Sequence, residues 1–402
     1  MFVLKPVYPF PLFFVLFTFS AYIGLGQASP ENGTLDVRFG KPTTFYSKDS
    51  SFYLGIGGRI QAMTEVRHDF NTEKSLVDFY IRRLRLSFAG SAISKKFTYR
   101  IQLSFSQRDI SPDNSQAQNN LFLRDAMLFY SPNSHWRFGF GQTKLPGNRQ
   151  RQISSGNLQL PDRSNTNALF TLDRDKGFWI YYKSDQKKNV VVNSTFAIST
   201  GEGRINSDKT ANLCYSLRGE LLPFGAFTNG GDYLESDHYF EDKLKLSLGL
   251  AYSYNNKTSR VAGQLGEYLY NNQLADLTYY GTDVIMKFRG WSFLGELYRR
   301  KSNNGVSILT SNPAKVNFVY SGTGLLLQSG FLFTKKDEII ARYGRTSPDK
   351  KIDQYTDLVN EYVLGYSHYF FHHKLKILTD ASIFKGPTQK LFQWRFSSVI
   401  AF

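Results

Sequence analysis

The sequence predicts an all-β fold, a transmembrane antiparallel β-barrel of about 16 strands. Three observations predict it. Polar and apolar residues alternate with period two along most of the chain, the alternating segments run about ten residues or more, and the connections between them are short and long in turn. Composition agrees with the pattern. Of 402 residues 41% are hydrophobic, yet mean hydropathy is −0.35, too low for a bundle of membrane helices. Aromatic residues make up 16%, with 35 Phe and 25 Tyr against 4 Met. Aromatics without long apolar runs suit strands that alternate faces and meet the bilayer interfaces in girdles. A large soluble β-sandwich array shares that composition, so it cannot decide alone.

Charge narrows the partners. Lys and Arg number 49 against 33 Asp and Glu, a net +16. Such an excess points to nucleic acid, an anionic surface or anionic solutes. Here the charges are spread along the alternating segments, which favours a charged interior over a nucleic-acid patch. Cys214 is the single cysteine, so the chain has neither an internal disulfide nor a cysteine metal cluster. No cofactor is expected.

The first element is an export signal. Lys5 precedes an apolar core from Leu12 to Phe19, and the small residues Gly24, Gly26 and Ala28 follow. The core is too short to span a bilayer as a helix, and no cysteine follows to carry a lipid. The expected division is a signal peptide over 1–27, a short periplasmic segment over 28–51 and the barrel over 52–402. After Ala28 nothing approaches about 18 consecutive apolar residues, so any crossing is made by strands.

The strands follow in order. In Tyr53–Val66, Leu54, Ile56, Ile60, Ala62 and Val66 share one face and Arg59, Gln61 and Glu65 the other. In Tyr80–Phe88, Leu84, Leu86 and Phe88 oppose Arg83, Arg85 and Ser87. In Phe97–Ser106, five apolar residues from Phe97 to Phe105 oppose Thr98, Arg100, Gln102 and Ser104. Each segment therefore has an oily side and a wet side. Thirteen further candidates lie between Leu123 and Phe402. Short connections such as Pro132–His135, Arg289–Gly290 and Phe371–His373 alternate with long polar ones such as His68–Asp78, Gln107–Leu121, Lys144–Lys176 and Asn255–Leu277. Short turns on one rim and long loops on the other are the rhythm of an outer-membrane barrel. One connection breaks it: Pro223–Asp242 is long where a short turn is due. The last strand alternates through Trp394, Phe396, Ser398 and Ile400 to a terminal Phe402.

Several stretches in this order resemble the phosphate-selective porin O and P family of Gram-negative bacteria. They are GGRIQ at Gly57–Gln61, IRRLRLSFAG at Ile81–Gly90, KFTYRIQLSF at Lys96–Phe105, LRDAMLFYSPNSHWRFGFGQTKLP at Leu123–Pro146, the PDRS…RDKGF frame between Pro161 and Phe178, and LGYSHYFFHHKLKILTD at Leu364–Asp380. The resemblance implies an outer-membrane homotrimer of sixteen-strand barrels, each with its third long loop folded into the lumen. That loop would be Lys144–Lys176, and Arg59, Arg83, Arg85 and Arg100 would face the lumen. The implied partners are outer-membrane lipid and small anionic or neutral solutes. Glu65, Glu220, Asp283 and Asp380 also fall on the wet faces, which argues against strict phosphate preference.

Physical reasoning supports wet arginines. Arg83 and Arg85 stand two apart on one strand, about 7 Å, and repel by about 2 kcal/mol at an effective dielectric near 20. Water, counterions or carboxylates must relieve that, either as an open lumen or as pairs that stiffen the wall. Selectivity also needs a constriction, because wall charges in a lumen wider than about 8 Å are largely screened. Lys144–Lys176 carries the charges for one: Lys144, Arg149, Arg151, Arg163 and Arg174 with Asp162, Asp173 and Asp175. Asp162/Arg163 and Asp173/Arg174 are expected to pin the loop, and Arg149 and Arg151 to face solutes. An outward surface loop is the alternative.

Catalysis is not expected. Of six histidines, His68 and His238 adjoin Asp69 and Asp237 in polar connections, while His372 and His373 share a tight turn short of metal ligands. No Ser-His-acid set falls on one wet face. A barrel hydrolase acting on lipid and a secreted carbohydrate-binding β-protein are the rival readings. Passive diffusion of small hydrophilic solutes, with anions and possible phosphate preferred, fits the residues best.

Overall fold

The computed structural model describes residues 33–49, 51–106, 109, 122–204 and 212–402. The export signal expected over 1–27 lies outside them. In chain order the strands are β1 (Thr34–Asp36), β2 (Thr43–Tyr46), β3 (Tyr53–Asp69), β4 (Lys74–Ala92), β5 (Ser94–Ser104), β6 (Leu123–Tyr130), β7 (Trp136–Lys144), β8 (Arg174–Lys183), β9 (Val191–Ser199) and β10 (Cys214–Leu222). After them come β11 (Lys245–Thr258), β12 (Ala275–Phe288), β13 (Trp291–Ser302), β14 (Val306–Ile308), β15 (Val316–Phe318), β16 (Gly322–Leu332), β17 (Asp337–Pro348), β18 (Val359–Phe371), β19 (Leu375–Lys385) and β20 (Lys390–Ala401). Two short helices, α1 (Arg149–Gln152) and α2 (Asn165–Phe170), lie between β7 and β8.

Every strand from β3 to β13 and from β16 to β20 pairs antiparallel with its ring neighbours, and β20 closes on β3 from Leu391 opposite Asp69 to Ala401 opposite Arg59. The ring is a closed barrel of sixteen strands. Closure removes the free edges that a lipid environment would leave unsatisfied. β1 and β2 add a small flap on β3 at the short-turn rim, and β14 and β15 form a hairpin within a long loop.

The alternation points oil outward. Leu128, Phe140 and Leu250 are each 66% exposed, whereas on the opposite faces Trp179 and Glu338 are 0% and Arg83 is 1% exposed. A soluble sandwich would bury the leucines and expose the charges. The secreted soluble reading therefore fails on orientation.

Local chemistry sets the turns. The two-residue turn between Phe288 and Trp291 holds Arg289 at φ 47° and Gly290 at φ 85°. Two successive positive φ values match the twist of the flanking strands, and the glycine adopts its value without a side-chain clash. The expected long connection His68–Asp78 is instead a tight hairpin. β3 and β4 stay paired out to Asp69 opposite Lys74. The polar residues that read as loop are strand residues, and adjacent Leu76 and Val77 are both exposed there, so the period-two alternation that marks a strand lapses. The strand expected over Phe318–Phe331 starts later, at Gly322, because Phe318 belongs to β15.

Candidate functional site

Side chains on the inner faces of many strands meet the connection between β7 and β8. This connection is pinned by hydrogen bonds to strand after strand. Arg218 of β10 donates to the Gly147 carbonyl at 2.8 Å, and Arg149 donates to Ser247 of β11 and Asp283 of β12, each at 2.8 Å. Glu296 of β13 accepts from the Gln150 amide at 2.8 Å. Gln159 is a hub: its side chain meets Ser292 of β13, Gln328 of β16 and Glu338 of β17, and its carbonyl accepts from Ser367 of β18. Lys376 of β19 donates to the carbonyls of Gly156 and Leu158 at 2.9 and 2.6 Å. Gln61 of β3 donates to the Pro161 carbonyl, and Arg82 and Arg83 of β4 both reach the Asp162 carboxylate at 2.6 Å.

Arg82 joins Arg83 because the β3–β4 register slips between Gln61 and Ala62, a bulge that turns an extra residue inward. Ser164 caps α2 by accepting from the Asn167 amide at 3.0 Å, which fixes the helix against β16 and β17. Arg300 of β13 ties its end by donating to the Leu169 carbonyl at 2.8 Å.

The expected pins are real pins with other partners. Asp162 binds Arg82 and Arg83, while Arg163 donates to the Gln150 and Ile153 carbonyls. Asp173 pairs with Arg151 and more loosely with Arg174, whose closer partner is Asp125 of β6 at 2.9 Å. Arg149 does not face solutes. It is 0% exposed and clamped between Asp283 of β12 and Glu220 of β10, carboxylates on strands either side of β11 that the loop sequence cannot reveal. Arg59 reaches Ser155 at 2.8 Å, and Arg85 pairs with Asp109 at 2.7 Å. Lys144 donates to the Arg151 carbonyl at 2.7 Å. The four wet-face acids are also partnered: Glu65 with Arg67, Glu220 with Arg218, Asp283 with Arg149 and Arg218, Asp380 with Arg395.

Against β4 to β10 the arrangement differs. A cavity of about 950 Å³ lies there, with ten Lys and Arg against three Asp and Glu among the described residues of its lining. Asp109 and Asp173 behind the lining pair with Arg85, Arg124 and Arg151, and the cationic excess survives them. Arg100 is exposed on this cavity and makes no ion pair among the described residues. Arg137 lies over the Phe129 ring at 3.5 Å and donates to Thr98. A second space of about 210 Å³, also lined by Arg85 and Arg100, adjoins it toward the C-terminal Phe402.

Sequence reasoning missed Arg82, Arg124, Asp109, Asp125 and Gln159. The adjacent polar pair Arg124–Asp125 at the start of β6 was the available signal, since strict alternation forbids two inward neighbours. Among the described residues no group of three or more His, Cys, Asp or Glu is placed to hold a metal ion.

A closed barrel with oil outside and charge inside defines an outer-membrane channel protein, a porin. The chain belongs to the phosphate-selective porin O and P family, whose model matches residues 54–260. Solved structures share the fold: the anion-selective porin of Comamonas acidovorans (12% identity, TM-score 0.55, covering 87% of this chain and 100% of that one) and OmpF of Salmonella typhi in complex with daunomycin (10% identity, TM-score 0.55, 88% and 98%). The outer membrane channel DcaP of Acinetobacter baumannii is similar too (12% identity, TM-score 0.52, 89% and 99%). No curated protein matches the sequence.

Proposed function

We propose that this porin passes small hydrophilic solutes by passive diffusion with a preference for anions, inorganic phosphate among them. The single observation behind this reading is the cationic excess around the 950 Å³ cavity, in the half of the lumen not taken up by the pinned β7–β8 connection. In this reading that connection is the constriction. It puts Arg151, Arg163 and Lys144 in the lining of the same cavity as Arg100 and Arg124, and a narrowed path lets wall charges act on passing ions. The family's description and the anion-selective Comamonas porin support the sign.

Planar-bilayer recording tests it. A reversal potential of anionic sign in a KCl gradient, with chloride current reduced by added phosphate, is the expected result; cation preference overturns it. We further propose a homotrimer in the outer membrane, exported by residues 1–27. Unheated detergent gels should show a band three times the monomer mass, and the mature N-terminus should begin near residue 28. No observation favours the hydrolase reading.

A further inference from the structure

Residues 223–244 connect β10 to β11 on the rim where the other connections are tight turns. They do not hang into water. Asp232, Glu235, Asp237 and Glu241 are all at most 6% exposed, and burying four carboxylates costs several kcal/mol each unless they are bonded.

Glu235, Asp237 and Glu241 accept hydrogen bonds, Asp232 stands 4.0 Å from the Arg149 guanidinium, and the contacts of the insert run in three directions. To the wall, Lys287 of β12 donates to the Gly231 and Ser236 carbonyls at 2.7 and 2.6 Å, and the Gly290 amide donates to Asp237 at 2.8 Å. Upward, Glu235 accepts from the Gln159 amide at 2.8 Å and from Gln150 and Gln328, its own amide donates to the Asn157 carbonyl, and Asn157 donates to the Tyr233 carbonyl. Across the barrel, the His238 ring packs on Tyr369 of β18 and on His373, with centroids 4.2 and 4.5 Å apart. β18 stands six places round the ring from β10. The insert therefore runs from the edge of the basic cavity, which Ala226, Phe227, Gly230, Asp232 and Tyr233 help to line, across to the half of the lumen that the β7–β8 connection fills.

We propose that residues 223–244 are a second constriction element, a plug on the turn rim that seals this half and holds the β7–β8 connection in register, confining solutes to the basic half. The proposal rests on the channel reading above. Glu235 is a positioning residue, acting on solutes through Gln150 and Gln159.

The test replaces residues 224–244 with Thr-Asn-Gly, which carries the β10–β11 register (Leu221 opposite Leu248) into a two-residue turn. Heat-modifiable gel mobility reports folding, and planar bilayers report conductance and reversal potential. The truncated barrel should conduct at least about twofold more than wild type, with lower anion preference. A folded truncation with wild-type conductance and selectivity overturns the proposal. Should the truncation not fold, Glu235→Ala should shift both readouts in the same direction, while Glu235→Gln, which keeps an acceptor oxygen, stays near wild type. Glu235→Ala indistinguishable from wild type overturns the proposal. If wild type shows no anion preference but truncation still raises conductance, the plug stands and the anion reading falls.

Discussion

The inner wall from β11 through β19 and the inner wall from β5 through β9 are both rich in charge, but they use it differently. On the first side nearly every charge is satisfied by the β7–β8 connection, by the β10–β11 insert or by a neighbouring strand, as with Arg149 and Asp283, Lys376 and Gly156, or Arg395 and Asp380. On the second side Arg100 and Arg137 face a cavity with no carboxylate bound to them among the described residues. Charges that find protein partners become structure. Charges that do not remain available to solutes.

The largest break should come from removing a carboxylate on the filled side. Asp162→Ala takes the carboxylate partner from buried Arg83 and leaves Arg82 only a 3.9 Å contact with Asp109, a loss of about 3–5 kcal/mol in the docking of the connection. Conductance should rise and become noisy while the barrel stays folded by gel mobility. An unchanged single-channel trace would show that these ion pairs do not hold the connection.

The next effect is smaller and depends on pH. Burial pushes the His238 imidazole down from 6.5 to about 3, and Lys376, His372 and Lys287 nearby add to the shift; Tyr369, His373 and Asp237 complete its surroundings. His373 is lowered as well, first by burial and then by Lys376. A docked histidine held neutral and an undocked one free to protonate leave docking unpenalised above pH 6.5. The penalty grows as pH falls below 6.5 and levels off near 3. At pH 5.5 His238 alone costs about 1.4 kcal/mol. Gating noise from the insert should therefore increase on acidification, and His238→Phe should remove most of that increase.

The two halves were not equally legible in sequence. Strand faces were readable because period two puts Leu84 out whenever Arg83 and Arg85 are in, and the same logic gave sixteen strands. The hairpin Asp69–Lys74 was hidden because the alternation that marks a strand lapses there, with Leu76 and Val77 adjacent and both exposed. The wet faces from β3 to β5 were readable, with Arg85 and Arg100 on the basic cavity, although Arg83 on the same face is taken up by Asp162 of the connection. The filled half was not, because its partners are remote in sequence: Arg149 finds Asp283 across 134 residues, and Gln159 finds Ser367 across 208. Charge in a loop looks the same whether it meets solvent or a distant carboxylate, which is why Arg149 read as solute-facing. The long connection after β10 did register as an anomaly of rhythm, though nothing in its composition revealed where it docks.

The smallest effect should come from the open side, and it sharpens the comparison most. Arg100 is exposed on the cavity, so Arg100→Glu should change stability by no more than about 0.5 kcal/mol. It should nonetheless move selectivity. A unit charge about 8 Å from a passing ion, in a medium between protein and water, is worth about 1 kcal/mol, or roughly fivefold in the local concentration of that ion. Reversal of one charge spans two such units. The effect should appear at 0.1 M salt and nearly vanish at 1 M, where the Debye length falls to about 3 Å. Melting of the barrel should be unaltered at either salt. A mutant that loses stability without shifting its low-salt reversal potential would place Arg100 among the structural charges and erase the distinction between the two halves.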